Sequence, residues 1–181
     1  ANTAMRCAIN TAVQRGLPTV AECGGFLYLG QTLEDDAGTA HPMAGVLPGS
    51  GHNAGRLVRF GYAVMTAKAG SMLFHAGEAL PVHEFHHWDS TANGTAFTAR
   101  KNEKMQWECG FANENFYAGF PHRKCSFTDP HRHSAPPTGF FAARATPLAV
   151  ESQWWNSWMG KLSPARKSIC LLYTSDAADD K

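Results

Sequence analysis

A chain of 181 residues, 44% hydrophobic and 17% charged, has the composition of an ordinary globular domain and not of a disordered or fibrous chain. A formal net charge of +1 without any basic block offers nothing to nucleic acid, and no apolar run is long enough to span a membrane. Five cysteines (Cys7, Cys23, Cys109, Cys125 and Cys170) without a CxxC pair, and no signal-peptide pattern, point to reduced thiols in a cytoplasmic setting.

Met5, Ala8, Ile9, Ala12 and Val13 recur at helical spacing, and Gly16 follows as a stop. The chain starts at Ala1 already inside this pattern, as a piece of a longer protein would. Residues 17–22 read as a short strand. Cys23-Gly24-Gly25 follows, and then an apolar stretch predicting a helix over 24–33. Strand, cysteine, glycines, helix is the order of a nucleophile elbow. The glycines permit unusual backbone angles and close substrate approach, and the helix amides favour a thiolate. The same residues also suit a buried structural cysteine at a strand end.

Residues 34–42 are polar and read as a loop. Strands are predicted over 43–47, 57–66, 80–86, 95–99 and 106–112, with glycine-rich turns between them. Residues 49–55 read as a loop, and no GxxxxGK[ST] phosphate loop occurs anywhere.

His83-Glu84-Phe85-His86-His87-Trp88-Asp89 is the second dense patch. A cysteine nucleophile needs a base near neutral pH, and a histidine here fits. The run also satisfies HExxH, the zinc-protease signature, which works only on a helix. Pro81, Val82, Phe85 and Trp88 favour an extended chain, in which His83 and His87 stand ~13 Å apart, too far for one zinc ion. No metal site is expected. Residues 123–168 lose the earlier patterning, and 169–181 resemble the translation of a sequencing adapter, so neither is expected to belong to the fold.

Together the two patches resemble the glutamine amidotransferase domain of the cobyrinate and cobyric acid synthase family. The residues that carry this are Ala21-Glu22-Cys23-Gly24-Gly25 and His83-Glu84-Phe85-His86. Between and after them, in the same order, come Met43-Ala44-Gly45-Val46-Leu47-Pro48-Gly49, Arg59-Phe60-Gly61-Tyr62 and Glu114-Asn115-Phe116-Tyr117-Ala118-Gly119-Phe120-Pro121-His122. His83, where the cobyric acid branch usually has tyrosine, favours the a,c-diamide synthase branch.

The resemblance implies an incomplete α/β domain over 1–122. Its fold would be of the class I, triad-type amidotransferases: a flavodoxin-like parallel sheet with flanking helices. It implies Cys23 as nucleophile, His86 as catalytic histidine and Gly24 as an oxyanion donor, with Glu84 or Asp89 orienting His86. Glutamine would be the substrate. Its ammonia would pass to an N-terminal synthetase domain, absent from this chain, that uses ATP and magnesium to amidate the a and c carboxylates of cobyrinate. The oxyanion loop would likewise precede Ala1, and a frameshift near Arg123 would explain the change of pattern. The alternatives are a cobyric acid synthase-type amidotransferase and a non-catalytic remnant of the fold.

Overall fold

The computed structural model describes residues 2–123 and the backbone of residues 170–174. Apart from Arg123, the expected frameshifted segment lies outside the described residues, as does most of the adapter-like tail.

Helix α1 (Thr3–Gln14) starts where the Asn2 side chain accepts the Met5 amide at 3.0 Å. It ends at Gly16, whose amide reaches the Val13 carbonyl and whose φ of 84° turns the following Leu17 amide back to the carbonyl of Ala12. That is a Schellman cap, for which glycine is the preferred residue. Ile9 and Val13 turn the helix's apolar stripe onto the core.

The chain then enters β1 (Thr19–Cys23) and α2 (Gly24–Tyr28). The helix expected over 24–33 is five residues long. Its open carbonyls explain the stop. Segment 43–47, expected as a strand, crosses the end of α2 and donates the amides of Ala44, Val46 and Leu47 to the carbonyls of Tyr28 and Leu29. Those amides would otherwise have built a ladder. The polar stretch 34–42, expected as a loop, forms most of a hairpin of β2 (Thr32–Glu34) and β3 (Ala40–Pro42). Within 49–55, β4 (Gly51–Asn53) pairs with β2.

The remaining strands are β5 (Arg59–Ala67), β6 (Ala79–His86), β7 (Trp88–Ser90), β8 (Phe97–Asn102), β9 (Met105–Cys109), β10 (Phe111–Asn113), β11 (Phe116–Gly119), β12 (His122–Arg123) and β13 (Cys170–Thr174). They form three sheets, ordered β10-β11-β1-β13, β12-β6-β5-β8-β9 and β3-β2-β4-β7. The expectation of one parallel sheet is therefore corrected. Parallel pairing joins β1 to β11 and to β13, and β2 to β4, and the five-stranded sheet is antiparallel throughout. The backbone of residues 170–174, within the adapter-like tail, lies beside β1 in register from Thr19↔Cys170 to Cys23↔Thr174.

Residues 106–112, read as one strand, split at Gly110 (φ 72°) into β9 and β10, which belong to different sheets. Gly110 packs against Gly94 (φ 76°), where an added Cβ would overlap the Gly110 carbonyl oxygen. Gly38 (φ 78°) has open space around the same position. Gly94→Ala should therefore destabilise the protein by about 3 kcal/mol, strain and overlap together, and Gly38→Ala by about 1 kcal/mol from strain alone. Urea unfolding of both variants checks this, and equal losses would contradict the close packing.

β1 divides the core. Val20 joins Met65, Val82, Phe97 and Tyr117 on one side, and Ala21 and Cys23 join Phe26, Leu29 and Phe120 on the other. Alternation along the strand thus sends Cys23 into the cluster beneath α2.

Candidate active site

Cys23 ends β1 with φ 51° and ψ −113°, and it is the one non-glycine residue with positive φ among the described residues. Such a conformation costs about 1–3 kcal/mol and persists only where the surroundings enforce it. The elbow expected from Cys23-Gly24-Gly25 is present: strand before, α2 immediately after, the strained residue between. Gly24, expected as the oxyanion donor, is the first residue of α2 and directly follows Cys23.

The histidine brought to Cys23 is His122, not His86. β12 pairs antiparallel with β6, His122 opposite His83, which carries the His122 ring to the end of β1. There it hydrogen-bonds to the Cys23 side chain, and its Nδ1 lies 3.3 Å from Oε2 of Glu22. Oε1 of Glu22 accepts the Arg123 amide at 3.4 Å, so one carboxylate holds both the ring and the strand that bears it. Burial is the largest influence on His122 and disfavours its charge. The hydrogen bonds to Cys23 and Glu22 and their electrostatic pull outweigh it and raise the pKa from 6.5 to about 9. At neutral pH the sulfur faces an imidazolium.

The approach to His122 is also fixed. The Tyr117 hydroxyl, buried in the core, donates to the Pro121 carbonyl at 2.9 Å. Burial pushes that hydroxyl well above its usual pKa of 10, so it remains a donor.

His86 is buried elsewhere in the same cluster. Its Nδ1–H donates to the Trp88 carbonyl at 2.7 Å, and its Nε2 lies 3.1 Å from Oε2 of Glu84. Both ring nitrogens are engaged, Nδ1 with the Trp88 carbonyl and Nε2 with Glu84, and neither with Cys23. Of the two carboxylates considered as its orienting partner, Glu84 makes the contact. Asp89 instead accepts from the Ser90 amide at 2.8 Å and from Asn93 at 2.9 Å, tying a turn. His83 packs edge-on against Phe60 and Tyr62, and His87 against Phe85. The HExxH residues start on an extended strand, and no group of three or more metal-ligating side chains suited to a metal occurs among the described residues.

The other described cysteines differ in kind. Cys7 is exposed on α1. Burial, followed by the charge of Glu84, pushes the Cys109 thiol up to about 12, which leaves it protonated and unreactive.

The sequence pattern of the CobB/CobQ-like glutamine amidotransferase domain matches residues 1–127. The chain belongs to this family. This amidotransferase domain is 38% identical over 127 residues to the cobyrinate a,c-diamide synthase of Salmonella typhimurium, covering 67% of the chain and 28% of that protein. It is 35% identical over 124 residues to the enzyme of that name from Caldanaerobacter subterraneus, covering 67% of the chain and 27% of the relative. For the Priestia megaterium protein of that name the identity is 33% over 118 residues, covering 64% and 25%. The domain thus spans about a quarter of the length of these relatives. No helix among its described residues is long and apolar enough to cross a membrane.

The sequence singled out Cys23, Gly24 and His86 as candidates and did not single out Glu22 and His122, which the structure places together at the end of β1. Both lie inside the motifs already singled out. Glu22 precedes the nucleophile directly, and His122 closes the Phe120-Pro121-His122 run. A carboxylate next to a candidate nucleophile and a histidine directly after a proline were the available signals.

Proposed function

We propose that this domain hydrolyses glutamine, with Cys23 as nucleophile, His122 as acid and base, and Glu22 as the group that orients His122. The observation that carries the reading is the placement of His122 between Glu22 and the strained Cys23. On this reading the domain is of the class I, triad-type, with β1 and its parallel neighbours as the remnant of a flavodoxin-like arrangement.

The thiolate of Cys23 attacks the side-chain amide carbon of glutamine, and the carbonyl electrons move onto oxygen. The Gly24 amide at the start of α2 is positioned to stabilise that oxyanion. As the C–N bond breaks, imidazolium His122 gives its proton to the departing nitrogen, releasing ammonia and leaving a glutamyl thioester. Neutral His122 then takes a proton from water as the water attacks. Collapse frees glutamate and restores the thiolate facing an imidazolium. Glu22 keeps Nδ1 protonated and leaves Nε2 to exchange the proton, as a carboxylate does in a triad.

Phe26, Phe116 and Phe120 share one buried cluster with Cys23, and ammonia released against such an apolar surface stays unprotonated and nucleophilic. We infer from the relatives' names that it amidates the a and c carboxylates of cobyrinate, in the cytoplasm. That step would use ATP and magnesium in the three-quarters of the relatives' length this chain does not span. No step of it is assigned to the residues here.

The test is covalent labelling with 6-diazo-5-oxo-L-norleucine, a glutamine-shaped alkylating agent, read by peptide mass spectrometry. One adduct is expected, on Cys23, and excess glutamine should protect against it. Labelling of Cys7 instead, or no protection by glutamine, would refute the reading.

A further inference from the structure

The buried His86–Glu84 pair has no part in the steps above. Its hydrogen bonding is nevertheless complete. Oε2 of Glu84 faces Nε2 of His86 at 3.1 Å, and Oε1 accepts Nε1–H of Trp107 at 3.2 Å. The Arg59 guanidinium reaches Oε2 at 3.7 Å and lies over the Trp107 ring, 4.3 Å from its centroid. The Glu84 and His86 side chains are only 4% exposed. Enclosing a carboxylate this far is unfavourable unless its partners are fixed, and a hydrophobic pair would fill the space at lower cost.

The arrangement fixes the His86 ring plane. That ring stacks on Phe120, with centroids 3.8 Å apart and planes within 2°. The other side of the contact is equally defined. Phe120 meets Phe26 edge to face at 5.1 Å and 76°, and Phe26 stands three residues after Cys23 on α2. Phe120 itself is two residues before His122. One ring therefore bridges the element that follows the nucleophile and the strand that carries its histidine.

We propose that Glu84 and His86 are positioning residues, which hold His122 against Cys23 by clamping the Phe120 ring between His86 and Phe26. The proposal rests on the reading of Cys23 and His122 given above. Its consequence is kinetic: loosening the clamp lowers the rate of reaction at Cys23 and leaves glutamine binding unchanged. A displacement of about 1 Å between reacting groups suffices for a loss near 10²-fold.

The experiment uses the full chain and follows inactivation by 6-diazo-5-oxo-L-norleucine, separating the maximal rate from the half-saturating concentration. Glu84→Ala should lower the maximal rate about 30-fold, with half-saturation within about twofold of the parent. Glu84→Gln can accept from Trp107 and donate to His86, so it should restore the rate to within about threefold. Phe120→Leu, which keeps a branched apolar side chain but removes the flat stacking surface, should reproduce the loss. The Glu84→Ala/Phe120→Leu double variant should be no slower than the worse single one, since both act through one contact.

A folded Phe120→Leu protein that reacts at the parent rate would overturn the proposal, as would additive losses in the double variant. Glu84→Gln behaving like Glu84→Ala would also overturn it, by making the charge and not the geometry decisive. Failure of the parent itself to be labelled at Cys23 would instead remove the functional reading on which the clamp depends.

Discussion

Replacing His122 by alanine should lower glutamine hydrolysis by about 10²–10⁴-fold while changing KM little, because the ring acts on the departing nitrogen more than on bound glutamine. The geometry makes this specific. Among the described histidines, His122 combines a hydrogen bond to Cys23 with one to an adjacent carboxylate, Glu22. His86→Ala should reduce the rate less, since it reaches the site only through Phe120.

His122 also sets a pH dependence of stability whose sign follows from its shift. The folded-state pKa, about 9, lies above the ordinary 6.5. The folded state thus binds the proton more tightly, and the contribution is fully present below 6.5. It declines through the interval and is lost as pH rises through about 9. Unfolding midpoints measured from pH 6 to 10 should fall more steeply for the parent than for His122→Ala. Parallel curves would show that His122 does not carry the charge.

The second large effect concerns Cys23. Both Cys23→Ala and Cys23→Gly should abolish covalent labelling and lower hydrolysis on the order of 10⁴–10⁶-fold, since no other described thiol is placed to substitute. Their stabilities should differ. Each loses the sulfur from the cluster around Phe26 and Phe120, but alanine retains a Cβ at φ 51° and glycine does not. Cys23→Gly should therefore be more stable than Cys23→Ala by about 1–2 kcal/mol. Chemical denaturation measures the difference. Alanine equal to or better than glycine would mean that the elbow holds no strain.

Local order was legible where the signals are local. Apolar spacing with Gly16 marked α1, because a helix face and its left-handed cap are encoded within about fifteen residues. Cys23-Gly24-Gly25 marked the elbow for the same reason. The HExxH run was read correctly as extended, from Pro81 and the β-favouring residues around it. Segment 43–47 was misread because its apolar pattern fits a strand equally well. What made it irregular was the end of α2, whose carbonyls took its amides. Strand 106–112 was misread because Gly110 serves two sheets, and the demand for a turn there comes from Gly94.

The sequence by itself determined which cysteine could be reactive, since the strand, the cysteine, the two glycines and the helix are contiguous. It could not determine which histidine serves that cysteine. His86 and His122 both sit in motifs of the expected kind, both are partly or fully buried, and both have a carboxylate partner. The proposal takes His122 because β12 pairs with β6 and brings His122 to Glu22 at the end of β1, a contact across 100 positions of sequence. The physical reason is that a catalytic pair needs contact distances of about 3 Å, which chain pairing and packing set and which no local pattern encodes.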